Sequence, residues 1–150
     1  MKIFCDTNIL LEFIQQRKFA KEVEQVLSFA ESNGHQLCIS IGSFYTTTYL
    51  AECYLKEEQL PQKERIEKLR AIMNGILDLF LFAQQSPEAI SEGVNDELFS
   101  DLEDSYQAHA AMGEGCDVII TINEKHYRKL AESGKIEVLT PVDFINKVDI

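Results

Sequence analysis

Three carboxylates stand close together in the stretch SDLEDSYQAHAA, at Asp101, Glu103 and Asp104. Like charges at such spacing repel one another by about 1–4 kcal/mol at a protein surface, in a chain whose net charge is already −11. Carboxylate oxygens are the ligands that Mg²⁺ and Mn²⁺ prefer. A bound ion offsets the repulsion, activates a water molecule and stabilises the charge that develops on a phosphate. The stretch therefore indicates either a paired-carboxylate metal site or a solvated acidic start of a helix.

A helix beginning near residue 101 would orient these acids. Ser100 and Glu103 match the S-x-x-E capping box, which makes Asp101 the first helical residue, where the helix dipole favours an acid. Asp104 follows three positions later on the same face. That face continues with the small residues Ala108, Ala111 and Gly115. A stripe of small residues lets a helix approach its sheet closely, so both aspartates are expected near the strand ends.

Polar residues also follow two buried apolar segments. Asp6 comes directly after KIFC, and Asn123 comes directly after VIITI, with Thr121 on the same sheet face as Asn123. Turn formation or helix capping would explain Asp6 and Asn123 equally well taken singly. However, Asp6 and the pair Asp101 and Asp104 come from opposite ends of the chain and are expected at one edge of one sheet. That convergence favours a shared metal site.

The elements that must position these residues follow from hydrophobic patterning. Apolar segments predict strands at 2–6, 36–41, 118–122 and 136–140, with 77–83 as a fifth, and amphipathic segments predict helices at 19–34, 43–57, 62–75, 86–97, 102–112 and 124–132. Alternating strands and helices are typical of an α/β fold with three layers, in which helices cover both faces of a mostly parallel sheet of four to five strands. Ligands of such folds bind beyond the carboxyl ends of the strands. We expect residues 1–150 to form a single domain.

Composition narrows the class of protein. Hydrophobic residues make up 45% of the chain, and no apolar run reaches the ~20 residues that a transmembrane helix needs. The N-terminal segment is too short in its apolar part to be a signal peptide, and the four cysteines form no close pair. These features predict a cytoplasmic protein with reduced thiols. A net charge of −11 opposes nucleic-acid binding, so a divalent cation or a basic partner protein would be needed to offset it.

Three blocks, IFCDTNILLEF, DLEDSYQAHAAMGEGCDVIITINEKHY and VLTPVDFI, resemble the PIN domain, the small magnesium-dependent nuclease fold of VapC-type toxins. The resemblance spans nearly the whole chain. It implies that Asp6 is the first acid, that Asp104 is the acid of the helix and that Asp101 is an extra acid. Asn123 falls where many members have Asp and others Asn, and Thr121 would support it. Mg²⁺ or Mn²⁺ is the implied cofactor.

The chain departs from the family at one acid. Members usually carry a Glu on the helix after the second strand, in a pattern like S-x-x-x-E-x-x-Y, but the matching stretch SFYTTTYLAE has Thr46 there. A threonine hydroxyl can still hold a metal-bound water. Glu52 lies six residues on, roughly 240° around a helix, and could serve only in a shifted register. A surface pair is the favoured interpretation of His126 and Tyr127, with a substrate contact as the alternative.

Three functions remain as hypotheses. The first is a Mg²⁺- or Mn²⁺-dependent endoribonuclease, the toxin of a toxin–antitoxin pair, in which Asp6 and Asp104 hold a metal-activated water that hydrolyses RNA phosphodiesters. The second is a PIN-like module weakened at Thr46 that binds or scaffolds. The third, a phospho-accepting receiver domain, is disfavoured because Lys125 has no strand-end position. The resemblance further implies an RNA substrate, a small antitoxin partner and a homodimer, and the lack of a long apolar run predicts no membrane association.

Overall fold

The fold is a five-stranded sheet with helices on both faces. A computed structural model describes all residues from 1 to 150. The strands are β1 (Lys2–Cys5), β2 (Gln36–Ser40), β3 (Leu81–Ala83), β4 (Val118–Ile120) and β5 (Glu137–Leu139). The helices are α1 (Thr7–Ile14), α2 (Ala20–Ser32), α3 (Ile41–Glu57), α4 (Gln62–Leu79), α5 (Pro87–Val94), α6 (Leu102–Gly113), α7 (Arg128–Ser133) and α8 (Pro141–Val148), with a 3₁₀ turn at Glu124–Tyr127. The predicted α/β fold is confirmed.

Strand alternation divides the core into two layers. In β1, Ile3 and Cys5 join the larger apolar cluster, whereas Phe4 joins a second cluster on the opposite face. The larger cluster packs under α1, α2, α3, α4 and α8, and the second packs under α6 and α7. Both faces of the sheet are therefore buried, which explains why its strands are continuous apolar segments rather than alternating ones.

The strand order creates a crevice at the centre of the sheet. All neighbouring strands are parallel, in the order β3-β2-β1-β4-β5. The chain builds outward from β1 through β2 to β3, and then returns to the other side of β1 with β4. This reversal is the topological switch point at which open α/β sheets bind ligands. The ladder extends one residue beyond β1, because the N–H of Asp6 donates to the carbonyl of Ile120 at 3.0 Å.

The strand prediction at 77–83 is wrong in its first part. Helix α4 continues to Leu79, and only Leu81–Ala83 is a strand. Leu69, Met73 and Ile76 are buried at helical spacing, and the N–H of Phe80 still donates to the carbonyl of Ile76. Tertiary packing of this face overrides the strand preference of the apolar run LDLFLF.

An apolar groove of about 400 Å³ opens on the surface, lined mainly by α1 and α4. Phe13, on its wall, is one of several large apolar side chains left exposed, as are Tyr45 and Tyr49 on α3. None of the helices combines the length and apolar character that crossing a bilayer requires.

Candidate metal centre at the carboxyl edge of the sheet

Asp6 lies where the central strand ends and α1 begins. Its backbone is extended, with φ −64° and ψ 155°, and its carboxylate caps the helix by accepting the N–H of Thr7 on Oδ1 at 2.7 Å. The other oxygen, Oδ2, accepts the hydroxyl of Thr121 at 2.9 Å. Asp6 is only 3% exposed. The capping interpretation is thus correct, and the same carboxylate also faces the carboxyl end of β4.

The pKa of Asp6 shows which charges lie near it. Burial and, to a smaller extent, the charges of Asp104 and Glu103 raise this pKa, the hydrogen bonds from Thr121 and Thr7 lower it, and the net pKa is about 6. Gln107, one turn after Asp104 on α6, donates to the hydroxyl of Thr7, the residue next to Asp6, at 3.4 Å. Asp6 and Asp104, almost a hundred residues apart in the chain, therefore lie at the same edge of the sheet.

Asp104 is held by a histidine from the far side of the crevice. The residue is 8% exposed on the first turn of α6. Nδ1 of His126 lies 2.9 Å from its Oδ2. Burial and the charge of Asp101 raise the pKa of Asp104, and His126 opposes this rise. Its carboxylate is thus contacted by His126, which is exposed, as the sequence interpretation expected.

Asp101, rather than Ser100, caps α6, so the predicted capping box is wrong. Oδ1 of Asp101 accepts the N–H groups of Glu103 at 2.9 Å and Asp104 at 3.2 Å. The backbone of Asp101 is extended, with φ −112° and ψ 119°, which places it outside the helix. The S-x-x-E pattern failed because an equally good capping residue follows the serine by one position. Asp101 is exposed and close enough to raise the pKa of Asp104.

Thr121 and Asn123 lie just beyond β4, which ends at Ile120 rather than at the predicted residue 122. Thr121 is fully buried, and its hydroxyl donates to Asp6 while accepting the N–H of Asn123 at 3.0 Å. The Asn123 side chain makes no capping hydrogen bond to the following 3₁₀ turn. Thr121 therefore orients Asp6, and the amide of Asn123 is not occupied as a helix cap.

The structure separates the two candidates on α3. Thr46 is half-buried and lines a cavity of about 310 Å³ together with Glu103 and Gln107 of α6. Glu52 instead pairs with Lys56 at 3.8 Å and lines a different depression beside Lys63. Thr46 thus lies in a cavity with Glu103 that neither Asp6 nor Asp104 lines, and Glu52 lies outside it.

Tyr127 lies beneath the acids, and its placement on the surface was a wrong prediction. The side chain is fully buried and packs edge-on against Phe99, with ring centres 5.9 Å apart. Its hydroxyl has no hydrogen-bond partner. Burial raises the pKa of Tyr127, and the charges of Asp6 and Asp104 raise it further. The spacing of Tyr127 and Leu130, both buried at i and i+3, was the pattern that could have revealed this core position.

A ring of hydrogen bonds beside Asp6, absent from the sequence interpretation, joins three helices. Thr7 of α1 and Ser43 of α3 share a hydrogen bond of 2.7 Å, the hydroxyl of Ser43 donates to Oε1 of Gln107 at 3.1 Å, and Nε2 of Gln107 donates to Thr7 at 3.4 Å. Ser40, the N-cap of α3, donates a further bond to Gln107. All four side chains are buried. This polar layer fixes the starts of α1 and α3 against α6.

The donor set fits Mg²⁺ or Mn²⁺ better than a transition metal that prefers nitrogen or sulfur. No three or more His, Cys, Asp or Glu side chains are arranged to hold one ion. Mg²⁺, however, is usually held by one or two carboxylates and keeps several waters, and Asp6 and Asp104 supply two. The buried hydroxyl of Tyr127 lies near both carboxylates.

Comparisons with known proteins agree with this architecture. A family model described as "PIN domain" matches residues 2–125. Ribonuclease VapC1 from Aquifex aeolicus is 26% identical over 148 residues, which are 97% of this chain and 94% of the relative. The crystal structure of VapBC2 from Rickettsia felis, bound to a DNA fragment from its promoter, superposes with a TM-score of 0.66 and 16% identity, over 93% of this chain and 98% of that chain. The last likeness shows the fold alone.

Proposed function

The chain belongs to the PIN domain family, and from that premise we propose that it is a Mg²⁺- or Mn²⁺-dependent endoribonuclease of the VapC toxin type. We further propose that residues 1–150 act as one domain and that the activity is cytoplasmic. The observation that supports the proposal is that Asp6, at the end of β1, and Asp104, on the first turn of α6, are both buried where the hydrogen bond from Gln107 to Thr7 joins α6 to α1. The similarity to ribonuclease VapC1 supports RNA as the substrate.

The residues of the site have two roles: some would bind the metal ion, and others orient the side chains that bind it. Asp6 and Asp104 would hold the metal ion, which when bound supplies a water of lowered pKa and positive charge for the phosphate. Thr121 fixes the rotamer of Asp6 through its 2.9 Å hydrogen bond, and His126 fixes that of Asp104. Asn123 places an uncommitted amide at the same edge, where it can donate to a phosphate oxygen.

RNA cleavage by single variants tests the proposal. The purified protein is incubated with a mixed-sequence RNA and Mg²⁺ or Mn²⁺, beside the variants Asp6→Asn and Asp104→Asn. We expect each variant to lose about 100-fold or more in cleavage rate, because half of the carboxylate pair is gone. Asp78→Asn, an exposed aspartate on α4, is the matched control and should cleave like the wild type. Equal cleavage by all four proteins would overturn the assignment.

One observation favours a second function, a binding module without catalysis. Thr46 stands where the family usually has an acid, and no three acidic or histidine groups close on one point. Calorimetric titration with Mn²⁺ separates the two functions. Binding that is lost in Asp6→Asn supports the nuclease, whereas no heat at millimolar Mn²⁺ supports the binding module.

We also propose an antitoxin partner and a homodimer. The similarity to VapC1 and the fold shared with VapBC2 support a partner of the VapB kind, and a net charge of −11 favours one that is basic at its contact. Exposed Tyr45 and Tyr49 offer apolar surface for a second copy. Co-purification with the product of an adjacent reading frame tests the first proposal, and sedimentation equilibrium of the isolated chain tests the second.

A further inference from the structure

We propose that the cavity between α3, α5 and α6 is a nucleobase subsite, and that it selects guanine through the carboxylate of Glu103. The cavity has a volume of about 310 Å³, which is within the range of small-molecule sites. The inference rests on the proposed function, because it takes the base to be that of an RNA cleaved at Asp6 and Asp104. It names the base that lies beside the cleaved phosphodiester.

The cavity lies one strand away from Asp6. In the parallel register of β1 and β2, Phe4 pairs with Cys38, so Asp6 and Ser40 follow at the same level of the sheet. Ser40 lines the cavity, and neighbouring strands lie about 5 Å apart. One ribose bridges a separation of that size between a phosphate and its base. A phosphate held at Asp6 therefore brings an attached base within reach of the cavity.

Helix α6 presents two neighbouring acids to different places. Successive helical residues point about 100° apart. Asp104 contacts His126, whereas Glu103 lines the cavity together with Tyr106 and Gln107. Both ends of the Gln107 amide are bonded to side chains of α1 and α3 or its cap. Gln107 is thus a fixed wall of the cavity, and Glu103 is the group on α6 that can bind a ligand there.

The other polar groups of the cavity are free to meet a ligand. The carboxylate of Glu103 takes part in no hydrogen bond or ion pair within the chain, and neither does the hydroxyl of Thr46 on α3. Gln85 donates through its amide to the carbonyl of Tyr106 at 3.4 Å and keeps its side-chain oxygen free. Ile90 and the ring of Tyr106 supply apolar surface. Apolar walls with a few convergent polar groups suit an unstacked nucleobase.

The chemistry of Glu103 selects among the four bases of RNA. An ionised carboxylate only accepts hydrogen bonds, and it can accept two parallel ones. On its Watson–Crick edge, guanine offers two adjacent donors, N1–H and the N2 amino group, whereas the other three bases have acceptors beside a single donor group. The hydroxyl of Thr46 can donate to guanine O6. Burial and the charges of Asp101 and Asp104 raise the pKa of Glu103, and two donated hydrogen bonds would offset that penalty on its charged form.

Nucleoside binding by the metal-free protein tests the inference without relying on cleavage. Guanosine, adenosine, cytidine and uridine are titrated into the protein, and the backbone amide signals of residues 103–107 are followed by NMR. We expect guanosine to bind about 10-fold more tightly than the other three, which is the discrimination that a bidentate pair typically provides. Equal binding of the four nucleosides, or no binding of guanosine, would overturn the inference.

Glu103→Gln adds a readout that a purely structural role of Glu103 would not change. A glutamine side chain both donates and accepts, which matches N7 and the N6 amino group of adenine. The variant should therefore bind guanosine about 10-fold more weakly and prefer adenosine. Glu132→Gln, at an exposed glutamate on α7, is the control and should keep the preference for guanosine. Weaker guanosine binding in Glu103→Gln without the gain of adenosine would count against selection by Glu103.

Mapping of the cleavage sites separates this inference from the proposed function. The wild type and Glu103→Gln are incubated with a mixed-sequence RNA and Mn²⁺, and the ends of the products are sequenced. We expect guanine at one fixed position beside the cut in the wild type, and adenine there in Glu103→Gln. Cleavage without a base preference would overturn the subsite and leave the nuclease intact. No cleavage, combined with selective guanosine binding, would overturn the nuclease but keep the cavity as a guanine site.

Discussion

Replacing Asp6 by asparagine should stabilise the metal-free protein at neutral pH. The carboxylate is 3% exposed, and its pKa is raised from 3.8 to about 6 in the folded chain. Because the folded pKa is the higher one, ionisation of Asp6 opposes folding. This penalty is absent below pH 4, grows between pH 4 and 6 and is complete above pH 6. At about 1.4 kcal/mol per pKa unit, it amounts to about 3 kcal/mol.

An asparagine at position 6 keeps the shape of the side chain without the charge. Its oxygen can still accept the N–H of Thr7, and its amide can donate to the hydroxyl of Thr121. The pKa of about 6 already includes the two hydrogen bonds that the charged carboxylate accepts, so their loss is not subtracted a second time. The free energy of unfolding of Asp6→Asn should therefore exceed that of the wild type by about 3 kcal/mol at pH 8. The gain should vanish at pH 4.

Urea denaturation in the presence of a chelator measures this difference at both pH values. Adding millimolar Mn²⁺ at pH 8 should then raise the unfolding free energy of the wild type but not of Asp6→Asn, since a ligand stabilises only the protein that binds it. Asp78→Asn serves as control and should respond to Mn²⁺ as the wild type does. A variant Asp6→Asn that is less stable than the wild type at pH 8, or that gains equally at pH 4, would refute the reasoning.

Three further substitutions test individual contacts. Thr121→Val removes the hydroxyl that lowers the pKa of Asp6, so the free energy of unfolding measured with urea should fall by about 1–2 kcal/mol. Calorimetry should also show weaker Mn²⁺ binding, and an unchanged affinity would contradict the orienting role of Thr121. Asp101→Ala should lower the free energy of unfolding by about 1 kcal/mol because it removes the helix cap, whereas Ser100→Ala should change it by less than about 0.5 kcal/mol. A larger loss in Ser100→Ala would show that Ser100 caps the helix after all. Tyr127→Phe should leave the metal-free protein as stable or up to about 1 kcal/mol more stable, because it removes a buried hydroxyl without a partner; a loss above 1 kcal/mol would reveal a hidden partner.

The sequence was most informative about elements with one strong periodicity. The α/β architecture and the central strands followed from apolar segments that are buried on both faces, and the placement of Asp6 followed from the end of the first such segment. The boundary between α4 and β3 within residues 77–83 could not be predicted, because the apolar pattern of LDLFLF fits both a strand and the last turn of a helix. Only the packing of Ile76 and Leu79 against the core decides between them.

Contacts between side chains of distant segments lay beyond sequence reasoning. The convergence of Asp6 and Asp104 could be anticipated, because parallel strands end at a common edge. The orientation of His126 toward Asp104 could not, because it depends on how the 3₁₀ turn leaves β4. For the same reason, the choice of Asp101 over Ser100 as cap required the backbone angles that the structure supplies.

In the ring of hydrogen bonds formed by Thr7, Ser43 and Gln107, the direction of every hydrogen bond is fixed. Gln107 accepts from Ser43 and donates to Thr7, so the hydroxyl of Thr7 must donate to Ser43. Opening any one member leaves two buried groups unsatisfied, which couples the three helix starts into a rigid frame. Under the proposed function, an RNA would meet a crevice of preset width, and selectivity would then depend on how far the RNA bends to fit the protein.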